Sequence, residues 1–156
     1  MALGLAVQRA IDDATGVSPD LRWPNDVMLN ERKLAGIMVQ SADEALIAGI
    51  GVNVNQLSFP DSLKGVATSL RIETGRDHSK DALLDRIVAE SLRYVQIGKR
   101  GILRRFEERS SYVRGKAVEV DGAIKGITAG LDGDGFLLVQ TSTGIEKIVA
   151  GGVRPL

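Results

Sequence analysis

Lys33 is a single charge at the head of an apolar run, followed directly by Leu34-Ala35-Gly36-Ile37-Met38-Val39. A compact ammonium there can meet an anionic oxygen of a carboxylate or phosphate and stabilise charge as it develops. The same residue type can equally be a surface lysine whose stem covers apolar neighbours while its head stays in water. Gly36, Gly49 and Gly51 fall in two neighbouring stretches that otherwise read as strands. Glycine weakens a strand, and its presence marks a bulge or a close approach by a ligand or another backbone. Asn25 and Asn53 offer paired donors and acceptors suited to a nucleobase edge or a sugar, although Asn25 after Pro24 is also a turn former. Asp26 can hold a Mg²⁺ ion directly or through water, or close a turn on its own backbone. Residue types alone leave both readings open at each position.

Composition removes several other chemistries. The only histidine, His78, lies in the polar stretch Gly75-Arg76-Asp77-His78-Ser79 and reads as a solvated loop residue. Ser-His-Asp hydrolysis and histidine-rich metal sites are therefore poor fits. With no cysteine, neither a disulfide framework nor a thiolate site can form. Lys plus Arg and Asp plus Glu both number 20, for a formal charge of zero, which argues against a nucleic-acid partner. No apolar run approaches the roughly 18–20 residues of a membrane span. The start, Met1-Ala2-Leu3-Gly4, lacks the basic segment of a signal peptide. These features predict a soluble, cytoplasmic chain, and 156 residues suffice for a core without staples.

The elements that must position the candidates follow from periodicity. Leu3, Ala6, Val7, Ala10, Ile11 and Ala14 repeat at helical spacing, with Gly16 as a natural stop. Short apolar pieces around Pro24-Asn25-Asp26 and Asn30-Glu31 predict a strand, a turn and a hairpin. Residues 32–40 and 44–54 are long strand candidates with a turn at Ser41-Ala42-Asp43. Residues 56–64 read as a loop, and 67–73 as a short helix closing near Gly75. Ser79 can cap a helix carrying Leu83, Leu84, Ile87, Val88, Leu92 and Val95, which Gly98 and Gly101 then break before another short helix with Ile102, Leu103 and Phe106. From Arg114 the texture changes: runs at 116–120, 123–131, 136–140 and 145–149 are divided by Asp121-Gly122, Asp132-Gly133-Asp134-Gly135 and Ser142-Thr143-Gly144. Asp-Gly between alternating apolar residues is a hairpin signal. The last 43 residues or so therefore predict a small all-β domain of SH3-like barrel type. Asp132-Gly133-Asp134-Gly135 lacks the spaced ligands of an EF-hand and reads as a turn.

Motifs add a resemblance. Arg22-Trp23-Pro24-Asn25-Asp26 is similar to the Lys/Arg-Trp-Pro-Asn-Asp motif of biotin protein ligases. Lys33-Leu34-Ala35-Gly36-Ile37 resembles that family's Lys-Leu-Ala-Gly-Ile strand, and Gly49-Ile50-Gly51-Val52-Asn53 its Gly-Ile-Gly-Ile/Val-Asn strand. The likeness extends over essentially the whole chain. It implies an α+β fold: residues 1–113 as part of a class II synthetase-like catalytic domain with a mixed sheet and helices, and 114–156 as a C-terminal SH3-like β-barrel. It also implies ATP-dependent activation of biotin to biotinyl-5′-AMP and transfer to a lysine of biotin carboxyl carrier protein, a domain of a biotin-dependent carboxylase. By this resemblance Lys33 is catalytic and, with Gly36, Gly49 and Gly51, biotin-binding. Arg22, Asn25, Asp26 and Asn53 bind nucleotide, and Asp26 is a candidate Mg²⁺ ligand. Trp23 is expected in the core with its indole N–H bonded.

The family's Gly-Arg-Gly-Arg-x-Gly-Arg loop, which folds over biotin and phosphate, does not occur in the 156 residues. The chain is thus expected to resemble a truncated reading frame, and to be inactive alone. A non-catalytic module binding nucleotide or carrier protein is the alternative, as is a lipoate ligase relative, which fits the motif spacing less well. A homodimer stays open. The ending Gly151-Gly152-Val153-Arg154-Pro155-Leu156 is only loosely similar to the family's, so no contact is carried to Arg154.

Overall fold

The computed structural model describes residues 1–156. The apolar periodicity at the start becomes helix α1 (Ala2–Thr15), with Leu5, Ala6, Val7, Ala10 and Ile11 buried. Gly16 ends it in the left-handed conformation (φ 76°), its N–H bonded to the Asp12 carbonyl. Strands β1 (Asp20–Arg22), β2 (Asp26–Leu29), β3 (Arg32–Ala42) and β4 (Ala45–Val52) follow and pair in the order β1-β2-β3-β4. Every pairing in this sheet is antiparallel. The parallel component of the expected mixed sheet is confined to an isolated Lys33–Ala67 bridge. The β2–β3 turn places Asn30 and Glu31 at φ 49° and 61°, the twist-matched geometry of a two-residue hairpin.

Residues 56–64 contain one turn of 3₁₀ helix (Asp61–Leu63). The predicted helix over 67–73 is shorter and later, α2 (Leu70–Thr74), because Ser69 caps it by accepting the Ile72 N–H. Residues 66–68 are instead extended against β3. Helix α3 (Lys80–Tyr94) is capped by Ser79, which accepts the Ala82 N–H. Helix α4 (Lys99–Arg109) runs through Gly101 rather than breaking there, and only Gly98, at its N-cap, interrupts the chain. The expectation for Gly101 overweights propensity: a glycine in a helix interior costs about 1 kcal/mol, and burial of Ile102 and Phe106 outweighs it.

Beyond α4, strands β5 (Arg114–Val120), β6 (Ile124–Leu131), β7 (Leu137–Gln140), β8 (Ile145–Ile148) and β9 (Val153–Pro155) form a second sheet. Its order is β8-β7-β6-β5-β9, antiparallel throughout, with β8 and β9 as its two edges rather than a closing pair. Strand β9 was not legible as a strand. Asp121 and Gly122, both at positive φ, turn the chain between β5 and β6. The two sheets share no strand, yet one core of 24 buried residues runs from Leu34 and Val27 through Phe106 and Val113 to Leu137, Val139 and Ile148. No helix is long and apolar enough to cross a membrane.

Candidate functional site

Antiparallel pairing of β3 and β4 sets Gly36 opposite Gly51 and Met38 opposite Gly49. Side chains alternate between faces, so these three glycines lie on one face of the sheet, with Asn53 at its end. The intervening residues Ala35, Ile37, Ile50 and Val52 turn to the other face, toward the helices. A Cβ added at Gly49 or Gly51 would meet nothing within 4 Å. The glycine face forms a floor that is open backbone at Gly49 and Gly51, with the exposed Met38 side chain opposite Gly49.

Charge is concentrated at one side of this floor. Asp26 sits opposite Gly36 in the β2–β3 register. Its Oδ2 accepts from Arg22 Nη2 at 2.7 Å, and Lys33 Nζ stands 2.5 Å from its Oδ1. The register slip between Val27 and Met28 lets Lys33 reach across to Asp26. The Lys33 stem folds over Gly36: a Cβ there would lie 3.1 Å from Lys33 Cε and 3.2 Å from Nζ, tighter than side chains normally pack. Gly36 thus makes room for the lysine as much as for a ligand. Asp26 Oδ1 is buried and has the ammonium beside it but no hydrogen bond of good angle. A carboxylate bracketed by two cations holds both ammonium and guanidinium in place, available to a second anion.

Asn25 is committed to the hairpin. Its Nδ2 donates to the Ile37 carbonyl at 2.7 Å while its own carbonyl accepts the Ile37 N–H at 2.9 Å. Its side-chain oxygen and the second N–H of its amide remain for a ligand. Asn53 is anchored through its backbone, N–H to the Leu34 carbonyl at 2.9 Å and C=O to the Leu70 N–H at 3.0 Å. Its side chain is half-buried and has no hydrogen-bond partner in the protein. The structure therefore gathers Arg22, Asp26, Lys33 and Gly36 at one corner, with Gly49, Gly51 and Asn53 across the same face.

Two supports were not legible from sequence. Segment 66–68 runs along β3, the Lys33 N–H donating to the Val66 carbonyl and the Lys33 carbonyl accepting from Thr68 at 3.0 Å. Glu73 locks this arrangement: its carboxylate accepts from Asn30 Nδ2, Arg32 Nη2 and the Thr68 hydroxyl. Partners some 41 to 43 residues apart leave no local signal. His78 is half-buried rather than solvated. Its ring bonds the Thr74 hydroxyl at 2.7 Å, and burial, followed by Arg76, lowers its pKa. Its backbone N–H donates to Asn55 Oδ1 at 3.0 Å.

A separate apolar groove of about 470 Å³ lies between β4 and α3, on the sheet's other face, lined by residues that include Ala48, Ile50, Leu84 and Val88. None of the candidate residues lines it. No cluster of three or more His, Cys, Asp or Glu side chains suits a metal ion. Asp26 is a lone carboxylate with both oxygens facing cations, so these residues do not by themselves fit a protein-held Mg²⁺.

Comparison with known proteins bears on this arrangement. Residues 2–56 match the model of the biotin/lipoate A/B protein ligase family, and residues 115–153 that of the biotin protein ligase C-terminal domain. The bifunctional ligase/repressor BirA of Bacillus subtilis is 33% identical over 96% of this chain and 50% of its own length. The chain spans about half the length of the ligase/repressor relatives it matches. The apo biotin protein ligase of Aquifex aeolicus superposes with a TM-score of 0.91 at 30% identity, covering 99% of this chain and 73% of that one. The same enzyme in complex with biotin and ATP gives a TM-score of 0.86 at 31% identity, over 99% and 70%.

Proposed function

Since the chain belongs to the biotin protein ligase family, we propose that its glycine floor and Arg22–Asp26–Lys33 corner form part of the site where biotin is activated by ATP. The carrying observation is geometric: two cations bracket one carboxylate at the edge of a face that is glycine at Gly36, Gly49 and Gly51. The flat ring system of biotin lies along Gly36, Gly49 and Gly51, directing its carboxylate to Lys33. A biotin carboxylate oxygen attacks the α-phosphorus of ATP, the bond to pyrophosphate breaks, and biotinyl-5′-AMP forms. Lys33 faces the oxygens on which negative charge grows, and Arg22 stands within reach of a phosphate. Asn25 and Asn53 present the remaining side-chain atoms for base and ribose. In the second step the amine of a carrier-protein lysine attacks the acyl carbon and AMP leaves. Mg²⁺ would enter with the ATP phosphates, Asp26 supplying at most one oxygen. The carrier is the biotin carboxyl carrier domain of a carboxylase, and the reaction is cytoplasmic.

The reading separates binding from turnover. Donors equivalent to the Gly-Arg-rich loop of the family are not among these 156 residues, and loss of a single preorganised donor can cost roughly 10²–10³ in rate. The chain alone is expected to bind ligand and to release no measurable pyrophosphate in the presence of biotin. Calorimetric competition tests the site: biotinyl-5′-AMP should displace both ATP and biotin. A chain in which it displaces neither has no such site.

A further inference from the structure

Trp23 stands in the middle of the motif that carries Arg22, Asn25 and Asp26, yet its side chain belongs to the other half of the molecule. It is 3% exposed, and its indole Nε1 donates to the Gly135 carbonyl at 3.0 Å, across 112 residues. Gly135 lies in the β6–β7 turn, residues 132–136, and this is the turn's one hydrogen bond to the Arg22–Asp26 segment. The carbonyl does not float. Asp132 Oδ1 accepts the backbone N–H groups of Asp134 and Phe136, each at 2.9 Å. The Gly135 N–H donates to the Asp132 carbonyl at 3.0 Å, and the Asp132 N–H to the Phe136 carbonyl at 2.9 Å. Lys147 of β8 closes on Asp132 Oδ2 at 2.7 Å and lies 4.4 Å from the centre of the Phe136 ring. Gly135 itself sits at φ +92°, a conformation L side chains rarely adopt.

The Arg22–Asp26 turn is therefore held at three places. Arg22 bonds Asp26, Asn25 bonds Ile37, and between them Trp23 is pinned from the C-terminal sheet. The strand leading into it has its own tether, the Ser110 hydroxyl donating to the Leu21 carbonyl at 2.5 Å. The first two contacts stay within the hairpin. The Trp23–Gly135 bond is the turn's one hydrogen bond to the second sheet, beside the packing of Trp23 in the shared core, and a shift there would move Arg22 and Asn25 together.

We propose that the 132–136 turn is a positioning element for nucleotide binding: through the Gly135 carbonyl and the Trp23 indole it sets where Arg22, Asn25 and Asp26 stand. ATP affinity then depends on a turn whose own side chains point elsewhere. This inference rests on the nucleotide reading given above.

The test uses the whole chain and ATP itself, titrated by calorimetry. Asp132→Ala frees the turn without touching the nucleotide corner and should raise the ATP Kd about three- to tenfold, as expected for one weakened hydrogen bond. Asp132→Asn keeps an acceptor for the Asp134 and Phe136 N–H groups and should stay within about twofold of wild type. Trp23→Phe keeps an aromatic ring but removes the indole N–H together with the rest of the pyrrole ring, and should weaken ATP binding at least as much as Asp132→Ala. Trp23 is the only tryptophan, so the emission of the ATP-free chain should shift in Asp132→Ala and not in Asp132→Asn. Val139→Ala, in the core of the same sheet, controls for general loosening: it should lower Tm and leave the ATP Kd unchanged. Wild-type ATP affinity in both Asp132→Ala and Trp23→Phe overturns the proposal, as does an equal loss in Val139→Ala. Wild-type chain that binds no ATP at all sinks the nucleotide reading and this inference with it.

Discussion

Replacing Lys33 by alanine removes the ammonium that faces both Asp26 and the proposed ligand oxygens. A hydrogen bond to a charged group contributes about 1.5–3 kcal/mol. The Lys33 side chain is 45% exposed, so solvent screening brings the figure to about 1–1.5 kcal/mol, a loss of roughly five- to twelvefold in affinity. Stability moves less. Asp26 Oδ1 loses its only neighbouring cation, but Arg22 remains on Oδ2, and a cost of about 1 kcal/mol corresponds to a Tm fall of about 2–4 °C in a chain of this size. Lys33→Arg should rescue poorly, because a planar fork cannot occupy the narrow space over Gly36 where the lysine stem lies. The assay is calorimetric titration with biotinyl-5′-AMP, paired with thermal unfolding. Unchanged affinity and unchanged Tm in Lys33→Ala would show an ordinary surface lysine and refute the reasoning.

Gly49→Ala and Gly51→Ala meet no atoms in the chain, so thermal stability should hold or rise by up to about 1 kcal/mol while biotin affinity falls; equal biotin binding would mean the floor is not a ligand surface. Gly36→Ala should weaken biotin binding through displacement of Lys33, measured as a higher biotin Kd, with its double mutant with Lys33→Ala showing no further loss. Glu73→Ala strands Arg32, Asn30 and Thr68 beside a side chain that is 6% exposed, and denaturant unfolding should show a loss of about 2–3 kcal/mol. The Lys147 bond, followed by the backbone N–H groups, holds the Asp132 carboxyl down to about 2. Its folded pKa lies below the unfolded value, so its stabilising effect is present above about pH 4 and is lost as pH falls toward 2. The stability gap between wild type and Asp132→Ala should accordingly narrow over that window in acid titration.

Legibility followed the range of each interaction. Helix α1 and its Gly16 stop, the Asn30-Glu31 hairpin and the Asp121-Gly122 turn are local, and their residues announce them. The glycines were readable only as unusual inside two strands, marking either a bulge or a close approach, because each weakens the strand it sits in. The register that puts Gly36 opposite Gly51 is not written in either strand alone, and neither is the bulge that brings Lys33 to Asp26. Glu73 and Gly135 escaped notice because their partners are distant in sequence and a lone Glu or a turn glycine has a sufficient local explanation. Strand β9 escaped for a related reason: Val153-Arg154-Pro155 has no strand pattern of its own and is extended only because β5 offers an edge.

Residue-resolved mapping of ligand contacts addresses the central claim most directly. In ¹H–¹⁵N spectra of the 156-residue chain titrated with biotinyl-5′-AMP, the backbone signals of Arg22, Asp26, Lys33, Gly36, Gly49, Gly51 and Asn53 should shift together at one ligand concentration. Shifts confined to the apolar groove between β4 and α3, or none at all, would contradict the placement of the site on the glycine face.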